Sequence, residues 1–110
     1  RGVSGDGADE GVTLEGRAGG IVVAPMGGVV RYAGQFKRFG NIVIIEHEKG
    51  LHSLLAGLGK IDTVVGRNVS AGEPVGFLSL SPDGGSVSLY YELRKDGQPM
   101  DPSARFSGLG

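Results

Sequence analysis

The chain has 110 residues, of which 39% are hydrophobic and 22 are glycine, with 11 basic against 12 acidic side chains and no cysteine. This length fits one domain with a modest core, and the net charge of −1 gives no basic field that would favour nucleic acid. The lack of cysteine excludes disulfides and thiolate metal sites, and no apolar run approaches the roughly 18 residues that cross a bilayer.

The predicted elements, in chain order, are short β-strands. Residues 1–8 show no periodicity and are expected to be a flexible segment, which leaves residues 9–110 as the folded domain. Glycine-rich turns then separate short apolar runs at residues 21–24, 28–33, 41–47, 51–58, 75–80 and 87–94. No stretch of about ten residues has a helical period, so no substantial helix is predicted. The pattern indicates a mostly β fold, an antiparallel β-sandwich or a partly closed sheet with an open groove.

Side chains alternate between the two faces of a strand, so two of these runs can be assigned faces. In residues 87–94 the odd positions are expected in the core. The even positions form a polar and aromatic face that consists of Ser88, Tyr90, Glu92 and Arg94. In residues 51–58 the inward side chains are expected to be Leu54, Ala56 and Leu58. Ser53, Leu55 and Gly57 would then face the other side. Residues 42–45 show no alternation, which is typical of a central strand covered on both faces.

A series of short signatures stands in a fixed order along the chain, at residues 11–13, 21–24, 28–30, 39–47, 53–58, 69–76, 88–94 and 97–102. Taken together, the series resembles the M23 (LytM-type) zinc endopeptidase domain of bacterial cell-wall hydrolases, from about Asp9 to Phe106. The resemblance implies a β-sheet fold with a long substrate groove. In active members, an H-x-G-x-D motif and the second His of an H-L-H-F-E motif hold a zinc ion on the groove floor, and two further histidines assist.

The residues at those family positions are different in this chain. On the family motifs, Asp9, Thr13 and Tyr90 stand at the three zinc-ligand positions. Gly57 and Ser88 stand at the positions of the two assisting histidines. Zinc catalysis needs about three nitrogen or oxygen ligands and an open position for water, and of the three only Asp9 is a common ligand. The sequence therefore predicts a domain that is not an enzyme, with no catalytic residue, no metal and no cofactor.

Without its metal site, such a domain would still offer its groove as a binding surface. The residues expected to form this partner-binding groove are Tyr90, Arg94, Glu92, Ser88, Leu55 and Lys37. Tyrosine and arginine are enriched at binding hot spots, although Tyr90 could instead simply fill the vacated space and Arg94 could be a solvated charge. Lys37 belongs to the segment 35–39, which combines two aromatic and two basic side chains and is either a groove wall or a packed turn.

The resemblance also implies a partner. Similar degenerate domains in the family's cell-division branch activate N-acetylmuramoyl-L-alanine amidases, which split septal peptidoglycan. This predicts a periplasmic regulator at the division septum, with an amidase or another cell-wall hydrolase as partner and possible contact with peptidoglycan. The full-length chain is expected to carry a signal sequence and a coiled coil upstream.

Several alternatives stay open on the sequence alone. The first is a peptidoglycan-binding targeting module without partner activation, and the second is an enzyme with unorthodox residues. The third is a carrier domain, because residues 69–76 resemble a biotinyl or lipoyl strand–turn–strand repeat, but Lys37 and Lys60 lack the flanking pattern of a modified lysine. His47 is expected to be structural and His52 solvated, with a new metal site as the alternative for both.

Overall fold

Short strands joined by tight turns make up nearly all of the part of the chain that is described. The structure, a computed structural model, describes residues 11–81, 83–96 and 98–100. Its strands, in chain order, are β1 (Val12–Arg17), β2 (Ile21–Val23), β3 (Gly28–Gln35), β4 (Asn41–Glu48), β5 (Leu51–Ile61), β6 (Asn68–Val69), β7 (Pro74–Leu78), β8 (Ser86–Lys95) and β9 (Gln98–Met100). The predicted flexible segment 1–8 and the candidate ligand Asp9 lie outside the described residues.

The strands form one antiparallel sheet in which the spatial order is β1–β8–β5–β4–β3–β6. β7 pairs with β5 and carries β2 on its far side, and β9 pairs with β8. Among the described residues no pairing joins β1 to β6, so the sheet does not close into a barrel. The predicted fold class, mostly β with an antiparallel and partly open sheet, is confirmed.

Strand β5 changes its pairing partner at Gly57. Residues 51–56 of β5 pair with β8, whereas residues 58–61 pair with β7. On the other edge, Ile42 pairs with Ala56 and Asn41 with Leu58, so Gly57 is an extra residue in the ladder. Gly57 has a φ of 90°, which only glycine adopts easily. Such a bulge bends the strand and reverses the alternation of side chains beyond it.

The core lies on one face of this bent sheet and is made of aliphatic side chains from β3, β4, β5, β7 and β8. Its fully buried members include Val30, Val43, Ile45, Leu51, Val75 and Leu93. β4 is a central strand between β3 and β5, as the unbroken apolar run 42–45 predicted. The odd positions Leu89, Tyr91 and Leu93 of β8 are buried, as their alternation predicted.

Helical structure is limited to one 3₁₀ turn at Lys37–Phe39 in the described residues, so the expectation of no substantial helix is confirmed for them. None of their helices has the length and hydropathy needed to cross a membrane. Three strands, β1, β6 and β9, were not among the predicted runs. β6 and β9 are only two and three residues long, and β1 has an exposed leucine, Leu14, in place of an alternating apolar face.

Candidate binding groove

A single row of side chains crosses four strands at the β1 end of the sheet. Thr13 on β1 lies directly opposite Tyr90 on β8, and Tyr90 lies opposite Ala56 on β5. Ala56 is in turn paired with Ile42 on β4. Residues that oppose each other in an antiparallel ladder project from the same face, with Cβ atoms about 5 Å apart. Thr13 and Tyr90 therefore share a face, and it is the face opposite the core residue Tyr91.

The Tyr90 side chain extends along this face towards the start of β1. A Cβ atom placed on Gly11 would be 2.7 Å from the hydroxyl oxygen of Tyr90 and 2.8 Å from its Cζ atom. The phenol thus packs against bare backbone at Gly11, and any larger residue there would displace it. Tyr90 therefore fills the space beside Gly11 at the start of the described chain.

Ser88 and Gly57, which the resemblance aligns with the two assisting histidines, lie in the same region. Ser88 is two residues before Tyr90 on β8 and opposes Glu15 of β1. A Cβ atom on Gly57 would lie 3.6 Å from the backbone oxygen of Ser88. Thr13, Gly57, Ser88 and Tyr90 therefore form one cluster, which we call the Thr13–Tyr90 corner.

The chemistry of the Thr13–Tyr90 corner does not suit the zinc ion that the resemblance implies. Zinc in proteins is held by histidine, cysteine, aspartate or glutamate, and the corner offers two neutral hydroxyls, one phenol and no side chain at Gly57. In addition, the Tyr90 ring already occupies the space against Gly11. In the portion of the chain with described coordinates, no three His, Cys, Asp or Glu residues form a group that could hold a metal.

An open groove of about 260 Å³ adjoins the corner and shares Tyr90 with it. Its floor consists of Ile42, Leu54 and Tyr90, and the ion-paired residues Glu92 and Arg94 line it farther along β8. Register explains this lining, because Leu54 opposes Glu92 on one side and Ile44 on the other. Alternation along β8 thus brought Tyr90, Glu92 and Arg94 together as expected from the sequence.

The sequence placed Glu92 on a polar face of β8, but only 5% of its surface is exposed. Its Oε2 atom lies 3.3 Å from Nη2 of Arg94, whose side chain is 41% exposed. A buried carboxylate requires such a partner, since an uncompensated charge in the interior is strongly destabilising. Arg94 consequently has a structural contact as well as an accessible surface.

The opposite wall of the groove is the loop between β3 and β4, which carries Phe36 and Phe39 at 40% and 50% exposure. The two rings stack with centroids 6.1 Å apart, and Tyr32 meets Phe36 edge-on at 6.0 Å. Lys37 lies between them in sequence, with its Nζ atom 5.5 Å from the centre of the Phe36 ring. The sequence left open whether the segment 35–39 forms a wall of the groove or a packed turn. In the structure it is a turn, and its Phe36 and Phe39 side chains form the wall.

Three predicted groove residues do not line the groove, and one of them is Lys37, whose side chain is exposed at the tip of the loop. Leu55 opposes Tyr91, not Tyr90, and is buried in the core with 3% exposure, so its assignment to the groove face was wrong. The physical reason is the bulge at Gly57, which puts Ser53, Leu55 and Leu58 on the core side. Strict alternation back from Leu58 predicted that Leu54 and Ala56 point inward, which was wrong, because Leu54 lines the groove and Ala56 lies opposite Tyr90 on the groove face. Ser88 shares the Tyr90 face but belongs to the Thr13–Tyr90 corner and does not line the groove.

A chain of hydrogen bonds that runs from the surface into the core was not predicted. The carbonyl oxygen of Gly27 can only accept, so Nδ1 of His47 donates to it at 2.8 Å. In neutral His47, Nε2 then accepts from the Ser53 hydroxyl at 2.6 Å, and the Ser53 oxygen accepts from the Tyr91 hydroxyl at 3.0 Å. Burial raises the pKa of Tyr91, although the hydrogen bond to Ser53 opposes the rise. This is a structural setting for His47, in agreement with its expected role.

His52 is on the groove face at the far end of the sheet, where it opposes Arg94 and Glu46. Its Nε2 atom is 3.9 Å from Oε2 of Glu46, whereas Oε1 of Glu46 accepts a 2.8 Å hydrogen bond from Nε of Arg31. That hydrogen bond is the main reason why the pKa of Glu46 is lowered. His52 is half-buried beside charged neighbours, where a fully solvated side chain was expected.

A second cleft, of about 390 Å³, opens on the core side between β1 and β2. Its lining is mostly apolar and includes Leu14, Ile21 and Leu89. Ligand sites combine an apolar lining with a few polar groups that fix the orientation of the ligand. The groove beside Tyr90 has both kinds of group, whereas this cleft has few polar groups. The groove is therefore the better candidate for a functional site.

The family model described as Peptidase family M23 matches residues 7–102 of the chain. The chain belongs to peptidase family M23. This M23 domain is 33% identical over 96 residues to the murein hydrolase activator EnvC of Escherichia coli, an alignment that covers 87% of the chain and 21% of EnvC. It is 36% identical over 81 residues to the DD-carboxypeptidase/endopeptidase Mpg of Neisseria meningitidis, with 74% of the chain and 19% of Mpg covered.

Among solved structures, lysostaphin of Staphylococcus simulans superposes on this M23 domain with a TM-score of 0.80 at 23% identity, covering 99% of the chain and 48% of lysostaphin. That likeness establishes the fold. The chain spans only about a fifth of the length of EnvC and of Mpg, so their names describe much longer proteins. The two relatives are named for opposite kinds of activity, one as an activator and one as an enzyme.

Proposed function

We propose that this M23 domain is a non-catalytic regulatory domain that binds an N-acetylmuramoyl-L-alanine amidase and activates it during cell division and daughter-cell separation. The observation that carries the proposal is the Thr13–Tyr90 corner, whose side chains suit zinc poorly, together with the open groove beside it. The 33% identity to a protein named as a murein hydrolase activator supports the same reading.

Sequence identity alone does not separate an activator from an enzyme, because Mpg is slightly more similar than EnvC over a shorter alignment. The chemistry of the corner favours the activator. A zinc peptidase needs charged or imidazole ligands and a group that moves protons, and Thr13, Gly57 and Ser88 supply neither. Tyr90 instead places an aromatic ring, packed on Gly11, at the end of the groove. Such a ring suits recognition of a partner.

The proposed mechanism is a shift between two conformations of the amidase. The groove would bind the conformation in which a blocking segment has left the amidase active site, and it would bind the blocked conformation poorly. A difference of about 3 kcal/mol between the two affinities changes the population ratio more than about a hundredfold. Because peptidoglycan lies outside the cytoplasmic membrane, the proposal places the domain in the periplasm, at the septum where daughter cells separate.

The test is release of dye from labelled peptidoglycan by candidate amidases, with and without the domain. Phe39→Ala and Tyr90→Ala remove groove side chains and should each lower stimulation severalfold. Leu80→Ala is the matched control, since Leu80 is also a large exposed apolar residue, 84% accessible, but lies outside the groove. Thermal melts of all three variants separate loss of binding from loss of folding.

Equal stimulation by wild type and both groove variants would remove the groove from the mechanism. Dye release by the domain alone, dependent on added zinc, would show an enzyme and overturn the proposal. Binding to isolated peptidoglycan without stimulation of any amidase would instead support a targeting module.

A further inference from the structure

We infer that the partner segment recognised by the groove is acidic, and that it places an apolar side chain against Phe36 and Phe39 with carboxylates towards Lys37, Arg38 and Arg94. This inference rests on the proposed function and specifies the chemistry of its partner. It is carried by the distribution of charge and aromatic surface around the loop wall.

The charges accessible at this end of the groove are basic. Lys37 and Arg38 are exposed at the tip of the loop, and the Arg94 side chain is 41% exposed. The one acidic residue in the described lining, Glu92, is buried and ion-paired with Arg94 at 3.3 Å. A ligand that enters past the loop therefore meets cations first, and carboxylates are the groups that complement them.

The aromatic part of the loop is held in place before any partner arrives. Phe36 and Gly40 close the loop through a 2.8 Å backbone hydrogen bond, and the amide of Phe39 donates to the Phe36 carbonyl at 2.9 Å. The Tyr32 hydroxyl donates to the Gln35 carbonyl at 2.6 Å, which fixes the ring that supports Phe36. A preformed aromatic surface loses little conformational freedom on binding, so it is suited to anchor an apolar side chain.

Backbone strain also points to this loop. Lys37 has a φ of 49°, in the left-handed region that residues other than glycine seldom occupy. Residues held in that region concentrate at ligand sites and switch regions. In this loop Phe36 and Phe39 both lie on the groove side, and the residues between them, Lys37 and Arg38, are exposed. The surface is concave and includes the Tyr90 floor, which fits an inserted peptide side chain better than a flat bilayer.

The first experiment reverses the loop charge in the domain and measures amidase stimulation. Lys37→Glu/Arg38→Glu should raise the domain concentration needed for half-maximal stimulation about tenfold at low salt. Raising the salt from about 0.05 M to about 0.5 M should weaken the wild type towards the variant, because exposed charges are screened. Lys60→Glu is the control, since Lys60 is an exposed lysine of β5 outside the groove. Stimulation that is unchanged by the double reversal would overturn the inference and leave the proposed function standing.

The second experiment does not depend on an amidase. A fluorescent peptide with a central Leu-Phe pair flanked by glutamates is compared with the same peptide flanked by lysines, by anisotropy and by amide shifts of the labelled domain. The acidic peptide should bind at least about tenfold more tightly and shift the resonances of Phe36, Phe39 and Arg94. Equal binding of both peptides, no binding of either, or preferential binding to anionic vesicles or isolated peptidoglycan would each overturn the inference.

Discussion

Replacement of Ser53 by alanine tests the hydrogen-bond chain that joins His47, Ser53 and Tyr91. Ser53 is fully buried and makes two of the three bonds in the chain, at 2.6 Å to His47 and 3.0 Å to Tyr91. A typical hydrogen bond contributes about 0.5–1.5 kcal/mol, so Ser53→Ala should lower the free energy of unfolding by about 1–3 kcal/mol. Tyr91→Phe removes one bond of the chain and should cost about half as much.

Urea unfolding followed by circular dichroism measures both variants and the double variant. Because both substitutions remove the Ser53–Tyr91 bond, the double variant should be less destabilised than the sum of the two single variants, by about the value of that bond. Equal losses for the two single variants, or strict additivity in the double variant, would refute the reasoning that Ser53 bonds to both His47 and Tyr91. If the slope of the unfolding free energy against urea is the same for all variants, the substitutions changed stability and not the surface exposed on unfolding.

Two further predictions concern metal and pH. Restoring the family's ligands with Asp9→His, Thr13→Asp and Tyr90→His should give a domain that retains about one zinc ion after dialysis, measured by plasma mass spectrometry, whereas Thr13→Asp alone should not. Since burial raises the pKa of Tyr91, the unfolded state loses its phenolic proton first, and stability should fall as the pH rises above about 10 and through the folded pKa. Tyr91→Phe should flatten that fall in alkaline urea titrations, and an equally steep fall would contradict the cause given for it.

Strand periodicity was enough to predict the groove face of β8 but not that of β5. In β8 the alternation is unbroken, so Tyr90 and Arg94 were placed on one face and Tyr91 on the other. In β5 the bulge at Gly57 changes the phase, and counting back from the buried Leu58 put Leu55 on the wrong side. A glycine inside a strand pattern often signals a bulge. The assignment of side chains to faces in β5 should therefore have been made separately on each side of Gly57.

The hydrogen-bond chain could not have been found in the same way. His47, Ser53 and Tyr91 come from three strands, and their contact depends on the pairing of β4 with β5 and of β5 with β8. No spacing along the sequence encodes those registers. The burial of Glu92 could not be predicted for a related reason. Glutamate is usually exposed, and the burial of Glu92 depends on the neighbouring strands that pack around it.

Alternation along β8 explains how this strand can carry different residues on its groove face without losing its core contacts. Leu89, Tyr91 and Leu93 supply the core contacts of the strand, and Tyr90, Glu92 and Arg94 face the groove. Substitutions at position 90 therefore act on the groove face, while the apolar burial that stabilises the sheet stays on the other side of the backbone. In this chain the space beside Gly11 is filled by the Tyr90 ring, so the strand keeps packed contacts on both faces without any ligand. Changes at Tyr90 should then appear mainly in binding and changes at Tyr91 mainly in stability, although the two residues are adjacent in the sequence.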